Sequence, residues 1–144
     1  MKKNLYIVDG SSYIYRAFHA MPPLTTSSGR PTGAIKGVSN MMMSLKNDND
    51  GSSIITVFDA KGKTFRSDIY PDYKANRPPM PDELRLQLDP IKSICKAIGF
   101  PIVEIAGVEA DDVIATIVKI AKEEGYSCVI SVSYTHLTLP TMRL

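Results

Sequence analysis

Leu5-Tyr6-Ile7-Val8-Asp9-Gly10-Ser11 is four apolar residues, then an aspartate, a glycine and a serine. An uninterrupted apolar run of β-formers closed by Asp-Gly reads as a short strand buried on both faces. Ser11 or Ser12 then stands where a helix cap belongs, with the helix carrying Tyr13 to Ala20. The pattern returns at Ile54-Ile55-Thr56-Val57-Phe58, again closed by an aspartate, Asp59. Weaker strand signals lie at Ile102–Ile105 and Ser127–Ser131.

Helical spacing fills the gaps. After a proline- and glycine-rich loop, Met21 to Pro31, a helix opens at Thr32-Gly33 and carries Ile35, Val38, Met42 and Leu45 on one face. From Asp82 the residues Leu84, Leu88, Ile91, Cys95 and Ile98 keep the period, and Pro90 inside it predicts a kink or a break into two helices. A last helix is predicted from Glu109 to Glu124, with Val113, Ile114, Ile117, Val118 and Ala121 inward. Strands alternating with helices specify an α/β fold with a largely parallel sheet.

The chain has 144 residues, 44% hydrophobic and 22% charged, the make-up of one ordinary globular domain. Collagen, disulfide scaffolds and wholly disordered chains are excluded. A net charge of +2 makes no global case for nucleic acid or membrane. Cys95 and Cys128 have no metal-spaced partners and are expected as buried, reduced thiols. The apolar run after Lys2-Lys3 is too short for a signal peptide, and no stretch approaches the ~20 apolar residues of a membrane span. The expected location is the cytoplasm, with no membrane partner. Residues 132 to 144 carry one charge and no continuing period, and are expected to be a foreign or frayed tail.

Asp9 and Asp59 each close a predicted central strand, at the edge where open α/β sheets bind ligands. Glu109, Asp111 and Asp112 open a helix. At ~100° per residue, Glu109 and Asp112 lie roughly 60° apart on one face, while Asp111 points elsewhere. Each acid alone has a plain explanation: a turn for Asp9, and a helix dipole worth ~0.3–1 kcal/mol for the other three. Their sum does not. Five carboxylates from three segments at one rim repel one another unless protons or ions neutralise them. Oxygen-only ligands suit Mg²⁺ or Mn²⁺, and paired ions of this kind hydrolyse phosphodiesters.

Residues 61 to 77 set Lys61, Lys63, Arg66, Lys74 and Arg77 against Asp68 and Asp72, with Tyr70 and Tyr73 interleaved. The helix from Glu109 to Glu124 sets five acids against Lys119 and Lys122. A basic, aromatic segment beside an acidic site is what a phosphate polymer requires, although a solvated loop with scattered charge has the same composition. Gly62-Lys63-Thr64 mimics the end of a P-loop but lacks the glycine five positions earlier, where Val57 stands. His19 is expected at the surface or in packing, His136 falls in the tail, and Met41-Met42-Met43 fills core.

Four blocks carry a resemblance. They are residues 5–11 quoted above, Val57-Phe58-Asp59-Ala60-Lys61-Gly62-Lys63-Thr64-Phe65-Arg66, Tyr73-Lys74-Ala75-Asn76-Arg77-Pro78-Pro79-Met80-Pro81, and Gly107-Val108-Glu109-Ala110-Asp111-Asp112-Val113-Ile114. In order and spacing they resemble the N-terminal 5′→3′ exonuclease, or flap endonuclease, domain of bacterial DNA polymerase I over about residues 3 to 131. The resemblance implies a three-layer α/β/α, PIN-like 5′ nuclease fold with a basic helical arch at about 61–81. It implies Asp9, Asp59, Glu109, Asp111 and Asp112 as carboxylates of a centre for two Mg²⁺ or Mn²⁺ ions. It also implies Lys74 and Arg77 in catalysis under the arch, with Tyr73 stacking on bases and Arg16 touching phosphate; Lys61, Lys63 and Arg66 are expected on the nucleic-acid backbone.

The implied partners are 5′-flap, nicked or branched DNA and RNA primers, handled by a monomer whose parent carries or lacks a fused polymerase. After Ser131 the family continues with a Gly-Asp-Lys-Asp-like motif, and here Val132-Ser133-Tyr134-Thr135-His136-Leu137 stands instead. Residues 1–131 are therefore expected to be a partial domain, incomplete at its C-terminal side and with little or no activity of its own. Two other readings stay open: a non-catalytic DNA-binding module in which the acids only cap a helix, and a PIN-like ribonuclease.

Overall fold

A computed structural model describes residues 3–49, 51–60, 80–131 and 136–138. In chain order its elements are β1 (Lys3–Asp9), α1 (Gly10–Ala20), α2 (Gly33–Asp48), β2 (Ser53–Val57), α3 (Asp82–Arg85), α4 (Leu88–Ile98), β3 (Ile102–Val103), α5 (Ala110–Glu123), β4 (Tyr126–Ser131) and β5 (His136–Thr138). The sheet order is β3-β2-β1-β4-β5, with the first four strands parallel and β5 antiparallel to β4. The chain therefore builds outward from β1 in one direction, then crosses to its other side. β1 is the switch point.

Register aligns the strand ends. Asp9 pairs with Val57, Val57 with Val103, and Val8 with Ser131, so β1 to β4 all finish on one edge. The period of two decides which helices cover which face. Tyr6, Val8, Ile54 and Phe58 pack with residues of α1, α2 and α4, whereas Leu5, Ile7, Ile55 and Val57 pack with α5 and with Cys128 and Ile130 of β4. Helices on both faces of a parallel sheet make the three-layer α/β/α architecture expected from the sequence.

Glycine sets the closest approach within one layer. A Cβ on Gly37 of α2 would fall 2.7 Å from Ala17 Cβ of α1, so the two helices pack nearly backbone to backbone. Both cysteines are buried and unbridged, and burial pushes the Cys95 thiol up to about 11. Met42 is buried in the core, while Met43 of the same run is exposed.

One local expectation needs correction, and another gains a definite position. The first helix starts at Gly10, and its cap is Asp9, whose carboxylate accepts from Ser12 N, rather than Ser11 or Ser12. A short carboxylate on an extended residue reaches the free N–H groups of the first turn as well as a hydroxyl does. The break after Asp82 falls at Leu86–Gln87, ahead of Pro90, which sits in the first turn of α4. There a proline forfeits no helical bond, and the carbonyl four residues before it is released from the helix. Gln87 fills the break: it is 2% exposed, its Oε1 accepts from Ile35 N and its Nε2 donates to Glu83 O. Residues 136–138 of the tail form β5.

No helix among the described residues is long and apolar enough to cross a membrane. The arch segment expected at about 61–81 lies almost wholly outside the described residues. So do Lys61, Lys63, Arg66, Tyr73, Lys74 and Arg77.

Candidate metal centre

The aligned strand ends deliver the acids. Asp9 is the last residue of β1, and Asp59 follows β2 by two positions. Glu109, Asp111 and Asp112 lie at the start of α5, whose covered face packs against β1, β2 and β4. In a doubly wound sheet the crevice beyond the carboxyl ends opens beside the switch strand. Asp9 stands at that crevice.

Hydrogen bonds hold two of the carboxyl-bearing turns. Asp9 Oδ1 accepts from Ser12 N at 3.2 Å, capping α1. Asp59 ties both neighbouring helix starts together: its backbone N donates to Ser11 Oγ at 3.2 Å, and its Oδ1 accepts from Ala110 N at 2.7 Å. The N-terminal ends of α1 and α5 therefore face the same acidic rim, where their dipoles favour negative charge. Tyr13 of α1 adds a link to the far side of β1 through a buried hydrogen bond to Ser131 at the end of β4. Burial pushes that phenol up, and the bond to Ser131 opposes the shift.

Electrostatics identifies which acids meet. The Asp9 carboxyl is held above its ordinary value of 3.8, first by burial and then by the negative charges of Asp111 and Asp59. The Ser12 and Ser11 N–H groups pull the other way without cancelling the shift. Two segments distant in sequence thus raise the proton affinity of one carboxyl.

Burial in the first turn of α5 follows the angular reading from the sequence. Glu109 is buried, Asp112 is half-buried and Asp111 is exposed. It is the outlying Asp111 whose charge reaches Asp9. Among the described residues no three His, Cys, Asp or Glu side chains stand close enough together to cage an ion. Asp59 and Asp111 stand within electrostatic reach of Asp9, and the described acids are not in ligating contact as a group of three. The donor chemistry still fits a hard cation: every acid here offers oxygen only, and Asp9 and Asp59 each have a second carboxylate oxygen beyond the one used on a backbone N–H.

Arg16 is exposed on α1. Ser11 escaped the sequence reading as a site residue, although a serine following the strand-closing Asp-Gly was a signal that could have found it.

The family described as 5′-3′ exonuclease, N-terminal resolvase-like domain, matches residues 4–134. DNA polymerase I of Pseudomonas aeruginosa is 57% identical over 115 residues, which are 80% of this chain and 13% of that protein. A 5′-3′ exonuclease of Aquifex aeolicus is 48% identical over 124 residues, covering 86% of this chain and 43% of its own length. The thermostable DNA polymerase I of Thermus aquaticus is 42% identical over 125 residues, 87% of this chain and 15% of the polymerase. The chain thus spans less than half the length of each of these relatives.

Among solved structures, T5 5′-exonuclease with bound divalent zinc superposes with a TM-score of 0.66 at 25% identity, over 97% of this chain and 59% of that one. A bacteriophage T5 flap endonuclease in a pseudo-enzyme–product complex with DNA and metal ions superposes with a TM-score of 0.68 at 24% identity, over the same shares of the two chains.

Proposed function

The chain belongs to the family of 5′-3′ exonuclease N-terminal, resolvase-like domains, and on that premise we infer that it is part of a divalent-metal-dependent 5′→3′ exonuclease or flap endonuclease. The observation that carries this reading is geometric: the aligned ends of β1 and β2 and the start of α5 meet at the switch point of the sheet, where Asp59 bonds to both Ser11 and Ala110. The proposed ligands are Asp9, Asp59, Asp111, Asp112 and Glu109, serving two Mg²⁺ or Mn²⁺ ions directly or through water. Bound there, such ions supply Lewis acidity toward a phosphodiester and lower the pKa of a neighbouring water.

The protein's own residues divide the remaining work. Asp9 binds a cation only after losing its proton, so occupancy rises with pH through its elevated pKa. Asp59 holds the start of α5 through Ala110 N, keeping the Asp111 and Asp112 turn against β2. Lys74 and Arg77 offset charge on the scissile phosphate, and Tyr73 stacks on a base of the 5′ strand. Arg16 with Lys61, Lys63 and Arg66 tracks the phosphate backbone. The proposed substrates are 5′-flap, nicked or branched DNA and RNA primers, in the cytoplasm, with a monomeric parent and with or without a fused polymerase. Residues 1–131 form the partial domain, with the arch at about 61–81. Residues 132–144 are proposed to be a non-native tail.

The deciding assay uses the intact parent protein on a 5′-flap oligonucleotide with Mg²⁺ titrated from zero. Cleavage is expected to require the metal and to fall at least about 100-fold in Asp111→Asn, since a metal centre stabilises the transition state by several kcal/mol. Cleavage that ignores both metal and substitution overturns the mechanism. Binding that falls steeply with salt, is indifferent to Mg²⁺ and leads to no cleavage marks a DNA-binding module instead. Preference for the RNA version of the substrate marks a ribonuclease.

A further inference from the structure

Phe58 and Asp59 are chain neighbours of opposite character. Phe58 is 2% exposed, whereas Asp59 lies open at the rim. Phe58 is held on three sides. Its backbone N donates to Val103 O at 3.0 Å, fixing it to β3. A Cβ on Gly10 would fall 2.5 Å from its ring Cε1, so the ring lies flush against the turn that follows Asp9. The third side is a cation: Lys92 Nζ of α4 stands 5.7 Å from the ring centroid.

Lys92 is itself anchored. Its ammonium meets Glu104 Oε1 at 2.6 Å, and the two side chains are only 18% and 32% exposed. Fully solvated pairs of this kind contribute little, whereas a cation over an aromatic face gains as water is removed. Lys92 also lines the cleft onto which Ser11 and Asp59 open, and is the one cation among the described residues lining it. The Phe58 ring is thus a spacer between the Asp9-Gly10 turn and α4, and it lies one residue before Asp59.

We propose that Lys92, oriented by Glu104, is a positioning residue of the metal centre: it clamps the Phe58 ring against Gly10 and so sets the spacing between the Asp9 and Asp59 carboxylates. The inference rests on the reading of these carboxylates as a divalent-ion site. Lys92 acts through Phe58 and touches neither ion nor substrate.

The sign of its effect on metal affinity separates positioning from simple charge. Coulomb's law alone says that removing a cation near the rim tightens binding of another cation. Loss of the clamp loosens it. The experiment is a Mn²⁺ titration of the 144-residue chain followed by electron paramagnetic resonance, in high salt so that long-range charge effects are screened. Lys92→Met is expected to weaken Mn²⁺ binding about 5-fold, below the 10–100-fold typical of groups bonded directly to a ligand, and Lys92→Arg to stay within about 2-fold of the wild type. Binding by Lys92→Met equal to or tighter than wild type overturns the proposal.

If Lys92→Met does not fold, Glu104→Gln releases the same ammonium and is expected to weaken binding by a similar factor; unchanged affinity there is equally fatal. Two controls keep this apart from the metal reading itself. Wild-type binding that disappears in Asp59→Asn but is unmoved by the Lys92 and Glu104 variants defeats positioning alone. A wild-type chain that binds no Mn²⁺ defeats the metal site and the positioning with it.

Discussion

Asp9→Asn should weaken Mn²⁺ binding by the chain more than about 100-fold, exceeding the loss usual for outer-shell groups, while stabilising the metal-free fold at neutral pH. Both effects have one cause. Burial and the charges of Asp111 and Asp59 hold the folded Asp9 carboxyl above its ordinary 3.8. The folded state therefore holds this proton more tightly than the unfolded state does, so ionising Asp9 opposes folding. This unfavourable contribution is absent at acid pH, sets in as the pH rises through 3.8 toward the folded value, and persists above it. Asparagine carries no charge to desolvate and caps a helix about as well as aspartate does. Thermal unfolding in EDTA at pH 7.5 should show Asp9→Asn above wild type, with the gap closing in acid. A variant less stable than wild type at pH 7.5, or one that still binds Mn²⁺, contradicts the assignment.

Phe58→Ala carries the largest stability loss expected of a single substitution here. Truncating a buried phenylalanine costs about 3–5 kcal/mol, because both the transfer free energy and the surrounding contacts are lost. Small domains hold only about 5–15 kcal/mol in all. Phe58 is 2% exposed and packs against Gly10 on one side and beneath Lys92 on another, so the hole has little means of collapsing. Urea denaturation should show the midpoint falling sharply with little change in slope. A loss under about 1 kcal/mol would mean that the ring's surroundings close over the gap, and it would remove Phe58 as a fixed spacer between the carboxylates.

The fold was legible because apolar runs closed by aspartate recur at β1 and β2, and because the helices keep a clear period. What stayed hidden was local. Asp9 was readable as a strand end but not as a cap, since serines at positions 11 and 12 offer the same chemistry from sequence alone. The break ahead of Pro90 was readable, whereas the role of Gln87 in filling it needs the facing backbone of α2 at Ile35. Strand ends and a helix start pointed to a shared rim, and angular spacing set Asp111, the exposed acid, apart from Glu109 and Asp112. Spacing within one helix says nothing about which acid faces a different strand, so the reach of Asp111 to Asp9 was invisible. Nothing in the sequence singles out Lys92 on its amphipathic helix. Its meaning depends on Glu104 and Phe58, which lie 12 and 34 positions away in sequence.

Backbone amide NMR of the chain during addition of substoichiometric Mn²⁺ tests most directly whether three distant segments share one ion. Paramagnetic broadening is expected to erase the signals of Gly10, Ala60 and Ala110 to Asp112 together, while Val38 in the middle of α2 stays sharp. Broadening confined to the start of α5, or none at any of these sites, would mean that the acids of β1, β2 and α5 serve separate structural ends.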